Sequence, residues 1–122
     1  MVKNHGSVYR NKVILVTGGA GAIGSNLSLA LAECGAQVVI ILDDLSSSYE
    51  WNIPDLANIL FVKGSVVNDV DLKRVFTMRP DYVFHLAAFF ANQNSVDYPE
   101  KDMIVSGLGT IKVLEYSVLT NV

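Results

Sequence analysis

Residues 12–27 read KVILVTGGAGAIGSNL. Val13 to Val16 is an unbroken run of aliphatic residues, the pattern of a strand buried on both faces. Glycines follow at 18, 19, 21 and 24. Beyond them Ile23, Leu27, Leu31 and Cys34 recur at helical spacing, with Ala30 and Ala32 as good helix formers. Gly35 is placed to end that helix in the left-handed conformation. The stretch therefore predicts a strand, a glycine turn and a helix.

The same pattern repeats outward from this unit. QVVIIL (37–42) is a second apolar run, ended by Asp43 and Asp44. A polar loop, SSSYEWN, and Pro54 follow. ILFVKG (59–64) is a third strand. Asn68 or Asp69 can cap a helix carrying Leu72, Val75 and Phe76, with Pro80 just beyond its end. DYVFHLAA (81–88) is a fourth strand. The loop FFANQNSVDYP leads to a last helix with Ile104, Leu108, Ile111, Leu114 and Val118 on one face. Gly107 and Gly109 cost that helix roughly 1 kcal/mol each against alanine, so close packing is expected there. Strands alternating with helices predict an α/β fold, a Rossmann-type doubly wound parallel sheet of about four strands. Residues 1–11 lack periodicity and read as a loose leader. Residues 12–122 read as the dinucleotide-binding part, with no internal linker.

Composition limits the function. The chain has 122 residues, 51% hydrophobic and 17% charged, enough for one packed domain. Its net charge of −3 offers no basic footprint for nucleic acid or an anionic membrane. The apolar runs, such as Val38 to Leu42 and Leu86 to Ala91, are far short of the roughly 20 residues that span a bilayer. Residues 1–12 are polar and resemble no signal peptide, so a cytoplasmic location is expected. The single cysteine, Cys34, excludes an intramolecular disulfide and reads as a packed apolar residue.

A glycine-rich match alone is weak, and a ligand-free turn is its alternative reading. The strand before it and the helix after it favour a dinucleotide. One glycine makes the tight turn, the next admits a pyrophosphate, and the last lets helix pack on strand. Helix N–H groups and the helix dipole then favour the phosphates. An acidic residue is expected about 20 positions on. Asp43 follows Gly24 by 19 positions. A carboxylate there accepts hydrogen bonds from ribose hydroxyls and repels a 2′-phosphate. No Lys or Arg lies between Leu42 and Leu60 to receive one, which favours NAD over NADP.

With these residues in place, the chain resembles the extended short-chain dehydrogenase/reductase family, in particular its nucleotide-sugar epimerases and dehydratases. TGGAGAIG (17–24) is similar to that family's TGxxGxxG loop. DDLSS (43–47) is similar to its acidic segment after the second strand, HLAA (85–88) to its fourth-strand motif, QNSVDYP (93–99) to the segment before the next helix, and SGLGTIKVLE (106–115) to its NVxGTxNVLE stretch. The resemblance implies that Gly18, Gly21, Ala22, Ile23 and Gly24 hold a pyrophosphate. It implies that Asp43 holds the adenosine ribose, with Asp44 and Ser46 alongside, and that Leu86, Ala87 and Ala88 line the cofactor. Ser65 and Val66 stand where the family contacts adenine, with Ser65 replacing a usual aspartate. Ser106 replaces a usual asparagine, and Phe90 stands where a lysine is common.

The family's chemistry also needs a Tyr-x-x-x-Lys pair. None of the five tyrosines here has Lys four residues later. The resemblance therefore implies the N-terminal part of a larger enzyme that ends before a fifth strand. It would hold NAD, while the remainder would bind a nucleotide sugar and carry out transient hydride transfer through a keto-sugar. An open fourth strand would favour a homo-oligomer. A non-catalytic NAD(P) sensor of the same fold is the second reading. A flavin- or methyl-donor-dependent Rossmann protein is the third, disfavoured by Asp43. His85 reads as structural. Ser95 reads as a helix cap, Tyr49 and Trp51 as flanks of adenine or as surface or lobe contacts, and Phe89 as a pocket or packing residue.

Overall fold

A computed structural model describes residues 5–89 and 92–122. Four strands form one sheet: β1 (Val13–Thr17), β2 (Val38–Asp43), β3 (Ile59–Lys63) and β4 (Tyr82–His85). Their order is β3-β2-β1-β4 and every pairing is parallel. Registers place Thr17 beside both Leu42 and His85. The glycine turn, the acidic segment and the HLAA motif therefore emerge together at the carboxyl ends of neighbouring strands. That is where open α/β sheets bind ligands.

Helices cover both faces. Strand residues divide between them with a period of two. Ile14, Val16 and Val39 pack with Leu31 and Ala32 of α1 (Ala22–Glu33). Leu15, Ile40, Leu42 and Val62 pack on the other side with Leu72, Val75 and Phe76 of α2 (Asp69–Phe76). Val113 of a later helix joins that second layer. Each fully buried aliphatic residue in these layers contributes about 1.5–3 kcal/mol. The predicted caps are present. Gly35 takes φ +88° after α1, and the Asn68 side chain accepts from the Asp71 N–H at 3.1 Å.

Four expectations need correction. Residues 5–11 are not loose. His5–Tyr9 forms a 3-10 turn, and the Tyr9 ring meets Tyr82 at 5.1 Å and Phe84 at 6.0 Å between centroids, covering one face of β4. Ile23 does not face the core. It is 75% exposed, and Gly24, Ser28, Leu31 and Ala32 form the buried stripe of α1 instead. The segment after β4 holds a short helix, α3 (Asn92–Asp97), with Ser95 inside it. Tyr98 then caps α4 (Pro99–Asp102) with backbone alone, because Pro99 supplies the fixed φ of a first helical turn.

The fourth correction concerns the last helix. A π-helical turn, Met103–Leu108, joins α4 to α5 (Gly109–Leu119). The stripe Ile104, Leu108, Ile111, Leu114 and Val118 is 43–78% exposed. The other side of α5, with Gly109, Val113 and Tyr116, meets the sheet and α2. A Cβ on Gly109 would come within 2.7 Å of Val66 Cγ2, whereas one on Gly107 would meet nothing closer than 3.9 Å. Close packing therefore accounts for Gly109 and not for Gly107. Phe90 lies outside the described residues.

No described helix is long and apolar enough to cross a membrane. The described residues hold no group of three or more metal-ligating side chains.

Candidate functional site

The glycine turn is held shut by its own backbone. Gly18 takes φ +70° and donates its N–H to Leu42 O at 2.8 Å. A Cβ there would lie 2.8 Å from Ala87 N and 2.9 Å from the Leu86 carbonyl carbon. Both the positive φ and the contact demand glycine. A Cβ on Gly24 would fall onto Gly18 O, with Gly19 Cα at 2.8 Å. The third glycine therefore sets how closely α1 approaches β1, as the spacing predicts.

The first turn of α1 has no side-chain cap. Gly21 is its N-cap, in extended backbone conformation. The N–H groups of Ala22, Ile23 and Gly24 are thus presented at the positive end of the helix dipole, a natural anion site.

Asp43 ends β2 on the facing wall. Its Oδ2 accepts from the Ala20 N–H at 3.0 Å. Its Oδ1 accepts from the Leu45 N–H at 2.8 Å and from the Ser48 hydroxyl at 3.0 Å. These three bonds fix the carboxylate between the two loops. About four lone-pair sites exist on a carboxylate, so one acceptor direction stays open. Asp44 Oδ1 accepts from the Ser46 N–H at 2.9 Å, which shapes the same loop. Asn52 closes the arrangement by donating to Ala20 O at 3.0 Å. Both polar groups of Ala20 are therefore gripped, its N–H by the last residue of β2 and its carbonyl by the loop that follows.

These elements surround one groove of about 770 Å³, within the range of small-ligand and cofactor sites. Gly18, Gly21, Ala22, Ile23, Gly24, Asp43, Asp44, Ser46, Leu86, Ala87 and Ala88 all line it. Ser65 and Val66 do not. The Ser65 hydroxyl accepts from the Val67 N–H at 3.3 Å, and Val66 is buried among the core residues. Ser25, Asn26, Ser47, Ser48 and Asn52 line the groove and carry no signal in the sequence strong enough to single them out. Tyr49 and Phe89 are also at its rim. Tyr49 stacks on Trp51 at 4.1 Å between centroids, and both rings are exposed.

A dinucleotide fits this donor set. The cradle that a Cβ at Gly18 or Gly24 would fill is backbone-lined, the α1 amides are unoccupied by any side-chain cap, and Asp43 is immobilised on the opposite wall. A second, apolar hollow of about 500 Å³ is formed by Ile111, Leu114, Glu115, Val118 and Leu119. It has almost no polar group to orient a ligand and lies on the outer side of α5.

Tyr116 offers no acid/base chemistry of the family's kind. Its hydroxyl donates to Asp69 Oδ1 at 3.2 Å, beside the Lys112–Asp69 ion pair at 3.0 Å. Burial, and then the Asp69 carboxylate, push this hydroxyl above its ordinary value. An acid/base tyrosine needs the opposite shift. The cluster joins α2 to α5.

The family described as GDP-mannose 4,6 dehydratase matches residues 15–121. A UDP-glucose 4-epimerase of Mycolicibacterium smegmatis is 41% identical over 112 residues, which cover 88% of this chain and 35% of that protein. Among solved structures, an epimerase of Methanothermobacter thermautotrophicus superposes with a TM-score of 0.92 at 66% identity, over 94% of this chain and 34% of that one. The Bordetella bronchiseptica enzyme WbmF, in complex with NAD+, gives a TM-score of 0.85 at 37% identity, over 91% and 33%. The chain thus spans about a third of the length of these relatives. A match across nearly the whole chain, on this sheet and this groove, makes the protein a member of the GDP-mannose 4,6 dehydratase family, among the extended short-chain dehydrogenase/reductases.

Proposed function

We propose that this chain forms the NAD half-site of a nucleotide-sugar epimerase or dehydratase. The observation that carries the proposal is the convergence of glycine turn, uncapped helix N-terminus, Asp43 and the 86–88 segment on one groove. The NAD+ complex of the similar enzyme WbmF supports it.

In this proposal the amides of Ala22, Ile23 and Gly24 neutralise the pyrophosphate, and Gly18 and Gly21 leave it room. Asp43 uses its remaining acceptor site for a ribose hydroxyl, with Asp44 and Ser46 shaping the loop beside it. Leu86, Ala87 and Ala88 form an apolar wall that excludes water from the far end. Ser65 and Val66 do not line the groove, and this reading assigns them no contact. When bound, NAD supplies reversible hydride acceptance from a sugar carbon. The nucleotide sugar and the acid/base residues belong to the whole protein's activity, outside the groove described.

Calorimetric titration of NAD and NADP into the wild type and Asp43→Ala tests the reading. The wild type is expected to prefer NAD, because the fixed carboxylate repels a 2′-phosphate. Asp43→Ala is expected to lose about 1.5–3 kcal/mol of NAD affinity, the weight of a charged hydrogen bond, and to narrow the preference. Tighter NADP binding by the wild type would sink the ribose assignment.

A further inference from the structure

His85 ends β4 directly under the groove wall, and its hydrogen bonds leave no freedom in where its proton sits. Thr17 Oγ1 lies 2.7 Å from His85 Nδ1. That same oxygen accepts from the Leu86 N–H at 3.1 Å and the Ala87 N–H at 3.2 Å. The Leu86 N–H is shared with Thr17 O, also at 3.1 Å, so the hydroxyl oxygen serves these two amides as acceptor and turns its hydrogen to the imidazole. Nδ1 must be the acceptor.

The other ring nitrogen gives the same answer independently. His85 Nε2 lies 3.0 Å from Thr110 Oγ1. The Thr110 hydroxyl donates to Ser106 O at 2.6 Å, and a carbonyl can only accept. Thr110 therefore presents a lone pair to the ring, and Nε2 must carry the hydrogen.

The chain of bonds also frames the groove wall. Thr17 holds the N–H groups of Leu86 and Ala87. The Ser106 hydroxyl holds the Phe89 N–H at 3.1 Å while donating to Asp102 Oδ1 at 2.9 Å. Ser106 and Thr110 sit one helical turn apart, so one turn of helix braces both ends of residues 85–89.

We propose that His85 is a positioning residue for the groove, locked as the neutral Nε2–H tautomer between Thr17 and Thr110, and that it sets the place of Leu86 and Ala87 against Gly18. The effect on cofactor affinity rests on the NAD reading above; the tautomer does not.

The test uses the full chain labelled with 15N-histidine. The sequence has only two histidines, His5 and His85, and His5→Gln assigns the spectrum. Long-range proton–nitrogen correlation at mildly alkaline pH is expected to show a pyridine-like Nδ1 and a pyrrole-like Nε2 for His85. An Nδ1–H tautomer, or a rapid average of the two, would overturn the proposal. Calorimetric NAD titration forms the second arm. Thr110→Val is expected to weaken NAD binding about five- to tenfold, the worth of one hydrogen bond, and Thr110→Ser to restore it. Unchanged affinity in Thr110→Val would overturn the positioning role. If the wild type takes up no NAD, the half-site reading fails, and the tautomer spectrum still decides the lock. That spectrum needs no folded Thr110 variant.

Discussion

The first βαβ unit and the last helix carry similar apolar patterns and meet different fates. In β1 and β2, every residue from Ile14 to Thr17 and from Val39 to Leu42 is at most 1% exposed. In the last helix, Val113 is 3% exposed while its neighbour Leu114 is 61% exposed. Periodicity reports which face of an element is apolar. It does not report what covers that face. β1 and β2 sit inside the sheet with helices on both sides, so any apolar residue there is enclosed. The last helix has the sheet on one side only.

The sharpest way to break this comparison is at the tightest contact in the first unit. Gly24→Ala puts a methyl group onto Gly18 O, a backbone atom that cannot swing aside. The expected loss is about 3 kcal/mol or more, read as a fall in denaturation midpoint. Wild-type stability in this variant would mean that α1 does not seat on the glycine turn as described.

A smaller effect separates the two sides of the last helix. Val113→Ala is expected to cost about 2 kcal/mol, and Leu114→Ala less than about 0.5 kcal/mol. Equal costs, measured by urea unfolding, would show that both faces are covered in solution.

These contrasts mark how far the sequence could be read. The four strands, the left-handed Gly35, the Asn68 cap and the link from Gly24 to Asp43 are local signals. Each depends on residue type at short spacing, and each was legible. The true buried stripe of α1 was not. It starts with Gly24, where a larger side chain would meet the turn, and Ser28, while Ile23, which shares the apolar spacing, is exposed. Asn52 was equally hidden, since its partner Ala20 lies 32 residues away and no spacing rule connects them. His85 was legible as structural, but its two threonine partners come from other elements of the fold.

His85 also gives the smallest effect, a pH dependence. Burial holds its imidazole below the ordinary value of 6.5. Above that pH the ring is neutral in folded and unfolded chains alike, and its contribution is fully present. As pH falls below 6.5, the unfolded chain takes up a proton that the folded chain resists. Stability is therefore expected to decline on the acid side, through the lower folded value. The decline should shrink in His85→Gln, followed by thermal unfolding against pH. An identical slope in the variant would remove His85 from the account of acid sensitivity.

The central claim is that the glycine turn, Asp43 and the HLAA segment build one cofactor groove. Amide chemical-shift mapping of the 15N-labelled full chain during NAD titration tests it most directly. Saturable shifts at Ala22, Ile23 and Gly24, together with Asp43 and Leu86 to Ala88, are the expected result. Shifts confined to the outer face of the last helix, around Ile111 and Leu114, or none at residues 22–24, would contradict it.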